Sequence, residues 1–454
     1  MQYKVKNMLL KYIGIMTLLI IQVGLFVLLW FYYYVPLVRE IGHGFYYWGY
    51  WAVCGLYLLF VVFFTKNLDG YRADFRRARR TALGHIIAMI CANAVGVIQI
   101  WIVGRHYFNV LPMVFLTLIQ CIFIALWAYV MKKIYVSINK RQKLLIIHGD
   151  YSPESFLIKD NHIQKMYTIK EVLDLSSGIE NDEYINRAID ENEVILLYDV
   201  SSETRNSILK YCYANKKNVI LTPKISDIII IGAEELRFVD KPMLMTQTSG
   251  LKAEELFMKR LLDIILSLLA IIISLPFMLI ISAIIKLQDG GKVIYKQERL
   301  TIDEKPFQIL KFRSMRENSE RDGAQLAKQN DNRITSVGRF LRATHLDELP
   351  QFFNILKGDM SFVGPRPERS EIADEYKKLI PEFRYRNSVK AGLTGYAQIY
   401  GKYNTTPYDK LKLDLIYIEN YSCWLDLKLL LMTLKIVFQR DNTEGVDDNQ
   451  KTAL

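Results

Sequence analysis

The sequence predicts a membrane-bound chain in three parts: a four-span α-helical bundle, a Rossmann-like α/β domain, and a mainly helical domain entered by a re-entrant membrane helix. Three observations carry this reading. Four long apolar runs precede residue 135, a soluble stretch with alternating strand and helix signals follows, and a fifth apolar run has basic residues at both ends and a proline inside. Hydrophobic residues make up 51% of the 454 and charged residues still reach 23%, the balance of a chain divided between lipid and water.

The four runs are residues 13–37, 46–64, 83–103 and 110–131, within a bundle domain set at 1–140. Each reaches the roughly 20 residues that cross a hydrocarbon core as a helix. Lys4, Lys6 and Lys11 precede the first run. Lys66, Arg72, Arg76, Arg77, Arg79 and Arg80 fill the second connection, and Lys132, Lys133, Lys140, Arg141 and Lys143 follow the fourth run. The other two connections carry only Arg39 and Arg105, so the positive-inside rule puts both ends of the bundle in the cytoplasm. The first run is too long for a signal peptide and lacks a small-residue cleavage site, so it reads as a retained anchor. The net charge of +11 lies beside apolar segments, as suits an anionic lipid surface. No nucleic-acid module accompanies it, and nucleic acid is excluded as a partner. Cys54, Cys91, Cys121, Cys212 and Cys423 form no CxxC and no close pair, which argues against a disulfide framework or zinc site.

Residues 144–246 read as a soluble α/β domain, with strands at 144–148, 194–200 and 218–222 and a helix at 203–215. The first strand ends in His148-Gly149-Asp150, without the glycine turn that cradles a dinucleotide, so a structural or regulatory role is expected. Residues 247–255 read as a linker.

The fifth run, 261–285, has Lys259 and Arg260 before it and Lys286, Lys292 and Lys296 after it. Both flanks favour the same side of the membrane. Pro276, two residues after Ser274, removes a backbone hydrogen bond near the middle. The expectation is a re-entrant helix over 259–286 that breaks at Ser274 and Pro276; a kinked spanning helix is the alternative. Further on, 408–421 and 424–438 have helical apolar spacing, with Trp424, Leu427, Leu431 and Leu434 on one face. Such a face suits either the membrane interface or a protein core.

The candidate chemistry lies in RFLRATHLDELPQFFNIL, residues 339–356. Pro350 belongs in a first helical turn, which puts Asp347 or Glu348 at or near the N-cap. Adjacent residues on a regular helix point about 100° apart, so only an irregular start brings both carboxylates to one site. Capping without chemistry is the plain alternative. Around the pair stand Lys311 and Arg313 in KFRSM, Arg333, Arg339, Arg342 and Arg366. Guanidinium groups pair bidentately with phosphate oxygens, so a diphosphate would be well matched. The Gly364-Pro365-Arg366-Pro367 run restricts the backbone and presents Arg366 with little freedom.

Residues 258–443 resemble the bacterial sugar transferase domain, the monotopic phosphoglycosyl transferases. The likeness rests on five ordered blocks: the basic-start helix with Ser274 and Pro276, VIYKQERL, KFRSM, LDELPQ with FNILKGDMSFVGPRPE, and GLTGYAQ. With the bundle and the α/β unit, the chain resembles the large polyprenol-phosphate hexose-1-phosphate transferases of capsule and exopolysaccharide assembly. The resemblance implies a monotopic catalytic domain on the cytoplasmic face of the bacterial inner membrane. It further implies a UDP-hexose donor, an undecaprenyl phosphate acceptor, and Asp347 as a nucleophile forming a covalent phosphosugar. Glu348 would position a Mg²⁺ or the incoming phosphate, with Asp347 and Glu348 as the metal's carboxylates. Lys311, Arg342 and Arg366 match basic positions of the family's site, and Arg313 and Arg333 join them as candidate binders of substrate phosphate. Membrane lipids, and optionally a second copy of the chain, complete the partners. Tyr396 stands where the family commonly has Trp, and Tyr400-Gly401-Lys402 where it has Asn-Gly-Arg. Glucose is the first expectation for the sugar, with galactose or an N-acetylhexosamine as alternatives. A non-catalytic scaffold of polysaccharide assembly is the competing reading.

Overall fold

The structure, a computed structural model, describes residues 2–42, 47–68, 70–71, 78–139, 141–149, 161–177, 182–238, 240–246, 250–315, 333–401 and 405–437. Arg72, Arg76, Arg77, Lys140, Asp150 and Lys402, named above, lie outside these residues. The chain forms two compact units, Met1–Thr222 and Pro223–Leu454.

In the first unit, α1 (Gln2–Leu29) passes through a π-turn at Trp30–Tyr34 into α2 (Val35–Glu40), and α3 (Tyr47–Asn67), α4 (Ala78–Gly104) and α5 (Leu111–Ile138) follow. The π-turn ends two residues before Pro36, whose missing N–H already interrupts the regular ladder. Four candidate spans, Met8–Glu40, Trp48–Asn67, Thr81–Gly104 and Leu111–Ile138, are long and apolar enough to cross a membrane. Their outward faces carry Ile20, Leu59, Ile102 and Ile122, all exposed, while polar side chains turn inward. The Tyr57 hydroxyl donates to Asn93 Oδ1 at 2.6 Å, and Asn93 Nδ2 donates to Gln120 Oε1 at 2.7 Å and Thr117 Oγ1 at 2.8 Å. Gln120 Nε2 reaches the Gln22 carbonyl at 3.0 Å, so one buried network joins all four spans. Without a hydrophobic drive between helices in lipid, such bonds specify the packing.

The soluble part of this unit contains β1 (Gln142–His148), α6 (Asn161–Met166), β2 (Tyr167–Asp174), α7 (Asp182–Glu191), β3 (Val194–Tyr198), α8 (Ser202–Ala214) and β4 (Asn218–Leu221). The four strands form a parallel sheet in the order β2-β1-β3-β4, the expected Rossmann-like arrangement with one further strand at its edge. A Cβ on Gly149 would collide with the Asp199 carbonyl, so glycine here serves close approach of β1 to the end of β3.

The second unit opens with α9 (Ile225–Ile231) and an antiparallel hairpin, β5 (Glu234–Phe238) and β6 (Lys241–Met245). The sequence reading carried the α/β domain to residue 246; residues 223–246 cluster instead with the C-terminal unit, where Ile225 and Ile228 join its core. Next come α10 (Ala253–Asp289), the antiparallel pair β7 (Ile294–Leu300) and β8 (Pro306–Phe312), α11 (Ser336–Ala343), α12 (Gln351–Lys357) and β9 (Ser361–Val363). The chain closes with α13 (Ser370–Leu379), β10 (Gly392–Thr394), parallel to β9, then α14 (Tyr396–Tyr400), α15 (Pro407–Glu419) and α16 (Cys423–Val437). Ile355, Met360, Val363, Leu411, Tyr417 and Leu429 lie in the main core of this unit.

Helix α10 is the fifth segment able to cross a membrane by length and composition, and it runs on through Pro276. Ser274 Oγ donates to the Ala270 carbonyl at 2.6 Å, a back-bond one turn earlier that commonly accompanies helix bending. Both halves of α10 touch the rest of the unit. Near its start Lys259 and Asp263 are buried, and Arg260 donates to the Ile355 and Leu356 carbonyls at 2.8 and 2.7 Å. Near its end Met278, Ile281 and Ile285 form a buried cluster with Phe312 and Leu341, against which Leu346 and Leu349 pack. Ile272, Ile273 and Phe277 are exposed between them. On α16 the apolar face read from the sequence is the outer one: Trp424, Leu427 and Leu434 are exposed, and Leu429 and Met432 face the core.

Candidate active site

Two devices bring the acidic pair and its cations together. The first is Asn354 on α12, 3% exposed, whose Nδ2 donates to the Gln308 carbonyl at 2.8 Å and whose Oδ1 accepts from the Leu310 N–H at 2.9 Å. That fixes β8 against α12, and the strand alternation then puts Lys311 beside the turn ahead of the helix while Phe312 points to α10. The second is Ser314. Its carbonyl accepts from the Thr335 N–H at 3.1 Å, and Thr335 caps α11 through the Gly338 N–H at 2.9 Å. A Cβ on Gly338 would overlap the Ser314 carbonyl, so only glycine permits this contact. Arg342, one turn further along α11, donates from Nε to Ser314 Oγ at 2.8 Å.

Between α11 and α12 the chain does not continue as a regular helix. His345 takes a left-handed conformation, φ 57°, and Leu346–Glu348 form a 3₁₀ turn before Pro350 caps α12. This is the irregular start that two adjacent carboxylates require. Glu348 Oε1 accepts from Lys311 Nζ at 2.8 Å and from Arg366 Nη2 at 3.1 Å. Asp347 is 8% exposed, and among the described residues its carboxylate accepts no hydrogen bond.

Electrostatics separates the pair. Burial pushes the Asp347 carboxyl above its ordinary value; Lys311 and Arg342 pull against that, and neighbouring Glu348 adds to it. Burial pushes Glu348 the same way, but Arg366 and Lys311 outweigh it and hold its carboxyl well below the usual range. One carboxylate is thus fixed as a charge inside a cation clamp. The other accepts no hydrogen bond among the described residues and is the more basic of the two.

Of the remaining expected residues, Arg313 lies with its guanidinium over Gly291. Arg333 stands just before Ile334, which bridges to Met315. Ser274 and Pro276 sit on α10 as described. For magnesium, both clamp donors use Glu348 Oε1, which leaves Oε2 without a hydrogen bond among the described residues. No group of three or more His, Cys, Asp or Glu side chains suited to a metal occurs among the described residues. Two carboxylates fit an ion that keeps several waters and takes substrate phosphate oxygens as its other ligands. Sequence reasoning missed Ser314 and the buried acids Asp414 and Asp426; nothing in their local pattern sets them apart from solvent-facing residues.

A carboxylate pair ringed by lysine and arginine, on a unit entered by a membrane-competent helix, defines a membrane-associated protein equipped for phosphate chemistry. The pattern describing the bacterial sugar transferase family matches residues 254–440. A UDP-N-acetylgalactosamine-undecaprenyl-phosphate N-acetylgalactosaminephosphotransferase of Aeromonas hydrophila is 42% identical over 184 residues, 40% of this chain and 44% of that protein. A UDP-glucose:undecaprenyl-phosphate glucose-1-phosphate transferase of Caulobacter vibrioides is 39% identical over 189 residues, 40% of this chain and 71% of that protein. An undecaprenyl-phosphate galactose phosphotransferase of Salmonella typhimurium is 38% identical over 215 residues, 44% of each chain. The chain belongs to the bacterial sugar transferase family. It spans about half the length of most of the curated relatives it matches.

Proposed function

We propose that this protein transfers a hexose 1-phosphate, glucose 1-phosphate first among them, from a UDP-sugar to undecaprenyl phosphate. The observation that carries the reading is the contrast at one turn: Asp347 buried and without a hydrogen bond among the described residues, Glu348 held by Lys311 and Arg366. In the first step an Asp347 carboxylate oxygen bonds to the β-phosphorus, and the bond from that phosphorus to the bridging oxygen breaks. UMP leaves with the bond's electron pair. In the second step an oxygen of undecaprenyl phosphate attacks the same phosphorus and displaces Asp347, giving undecaprenyl-diphosphate-sugar. Splitting one displacement into two through a carboxylate is ordinary covalent catalysis. Lys311, Arg342 and Arg366 offset charge on the phosphoryl oxygens, with Arg313 and Arg333 in supporting contact to substrate phosphate. Glu348 and Asp347 would hold magnesium, which would supply further charge neutralisation at the phosphates.

The reading sets the reaction at the cytoplasmic face of the bacterial inner membrane, as the opening step of capsule or exopolysaccharide repeat assembly. Re-entry of α10 is supported by its two arms: Lys259 and Arg260 at one end, Met278 and Ile281 at the other, pack on the same compact unit. A helix that crossed the bilayer would send those arms to opposite sides. The relatives' names include glucose, galactose and N-acetylgalactosamine at similar identity, so the donor needs direct assay. The test is incubation of the pure protein with a panel of UDP-sugars and undecaprenyl phosphate. UMP release is expected; UDP release would identify a glycosyltransferase instead, and release of neither would support the scaffold reading.

A further inference from the structure

Arg366 leaves the Pro365–Glu368 segment as a half-exposed side chain, yet the backbone beneath it is held at all four carbonyls. The Pro365 carbonyl accepts from the Gly392 N–H at 2.9 Å and the Glu368 carbonyl from the Leu300 N–H at 3.0 Å. The two between them are taken by guanidinium groups: Arg366 O by Arg386 Nη2 at 3.0 Å, and Pro367 O by Arg299 Nη1 at 3.1 Å. Proline at 365 and 367 fixes φ but removes the N–H groups with which the segment might pair in a sheet, so side chains must take over the outer bonding.

Arg386 is 4% exposed and its partner Asp414 1%. Asp414 Oδ2 accepts from Arg386 Nε at 3.0 Å and lies 2.8 Å from Nη2, while Glu368 Oε1 is 3.5 Å from Nη1. Burial raises the Asp414 carboxyl to about 6 against the pull of Arg386, the mark of a desolvated charge. A buried ion pair is weak as a stabilising device, and apolar residues of similar volume commonly do as well or better. The arrangement therefore calls for another reason, and the geometry supplies one: the pair aims an N–H at the carbonyl of the residue that clamps Glu348.

We propose that Arg386, oriented by Asp414 and assisted by Arg299 from the other side, is a positioning residue that fixes where Arg366 meets the substrate's phosphate. This rests on the phosphate-binding role given to Arg366 above. A lysine at 386 has one compact ammonium and cannot reach Asp414, Glu368 and the Arg366 carbonyl at once.

The test is a double-mutant cycle read as kcat/KM for UMP release by the full-length protein, with Arg386→Lys and Arg366→Ala alone and combined. Misplacing a substrate clamp by a fraction of an ångström to an ångström costs on the order of ten- to a hundredfold, and that loss is expected for Arg386→Lys. Contacting or serially acting residues are not additive, so in the Arg366→Ala background the same change should cost less than about twofold. Should Arg386→Lys fail to fold, Arg299→Gln at the more accessible site gives the same comparison, with the same coupling expected. Equal losses in both backgrounds, or no loss at all, would overturn the proposal alone. A parent chain that releases no UMP, or an Arg366→Ala variant as active as the parent, would overturn the role of Arg366 itself and the proposal with it.

Discussion

Lys259 and Asp426 form a buried ion pair, Nζ to Oδ2 at 2.7 Å, between the start of α10 and the first turn of α16. The same ammonium donates to the Val363 carbonyl at 2.8 Å and the Tyr417 hydroxyl at 3.1 Å. One turn on, Asp263 accepts from Ser361 Oγ and the Phe362 N–H, both at 3.0 Å. This membrane-competent helix is thus fastened at its polar end to the strand that leads into Arg366.

Lys259→Met should destabilise the protein by about 3–5 kcal/mol, because it leaves the Asp426 carboxylate buried without its cation. The double variant Lys259→Met/Asp426→Leu should recover most of that loss. Denaturant or thermal unfolding in detergent measures both. A single variant as stable as the parent would show that the pair does not hold α10 in place.

Neutralising Asp347 and Glu348 should move stability in opposite directions. The Asp347 pKa is raised by burial, so the stability it lends is complete below its unfolded pKa and is lost as pH rises through the folded value. At neutral pH its charge works against folding, and Asp347→Asn should leave the melting temperature equal or higher. Glu348, held low by Arg366 and Lys311 against its burial, lends stability above its unfolded pKa and loses it only as pH falls through the depressed folded value. Glu348→Gln at pH 7 should lower stability by about 1–3 kcal/mol. Calorimetry at pH 7 compares them; two shifts of the same sign would contradict the assignment.

On the proposed mechanism turnover requires the ionised form of Asp347, so the acid limb of kcat/KM should lie above the ordinary aspartate range. Protonation there disables the nucleophile while the fold persists, since Glu348 remains charged to lower pH. A rate–pH profile with circular dichroism at each point separates the two effects. An acid limb that coincided with unfolding would assign it to the fold.

Lys252 and Lys292 stand just outside the two ends of α10, both exposed. Cysteines placed there one at a time, in a background with the native cysteines replaced, should react with an impermeant reagent from the same side of sealed vesicles. Reaction from opposite sides would mean that α10 spans.

How far the sequence reveals this molecule depends on whether a signal is local. The membrane helices announce themselves because each apolar run is continuous, and the parallel strands β1 and β3 because residues 144–147 and 194–197 are buried on both faces. Strand β2 escaped because Lys170 and Glu171 interrupt its apolar pattern, whereas β4, at the other edge, keeps its apolar residues 219–221 unbroken. Asp347 and Glu348 were legible from Pro350 and the surrounding blocks. Their differing environments were not, since Lys311 and Arg366 approach from 37 residues before and 18 after. Asp414 and Asp426 read as solvent-facing positions on amphipathic helices; only the distant partners Arg386 and Lys259 show why a carboxylate is tolerated inside.

The central claim is a bond from Asp347 to phosphorus. It is tested most directly by incubating the protein with a UDP-sugar labelled in the β-phosphate, without lipid acceptor, and locating label by peptide mass spectrometry after denaturation. The account predicts one phosphosugar on the peptide containing Asp347, discharged by undecaprenyl phosphate and missing in Asp347→Asn. UMP release with no label on the protein, or an Asp347→Asn variant that turns over as fast as the parent, would contradict it.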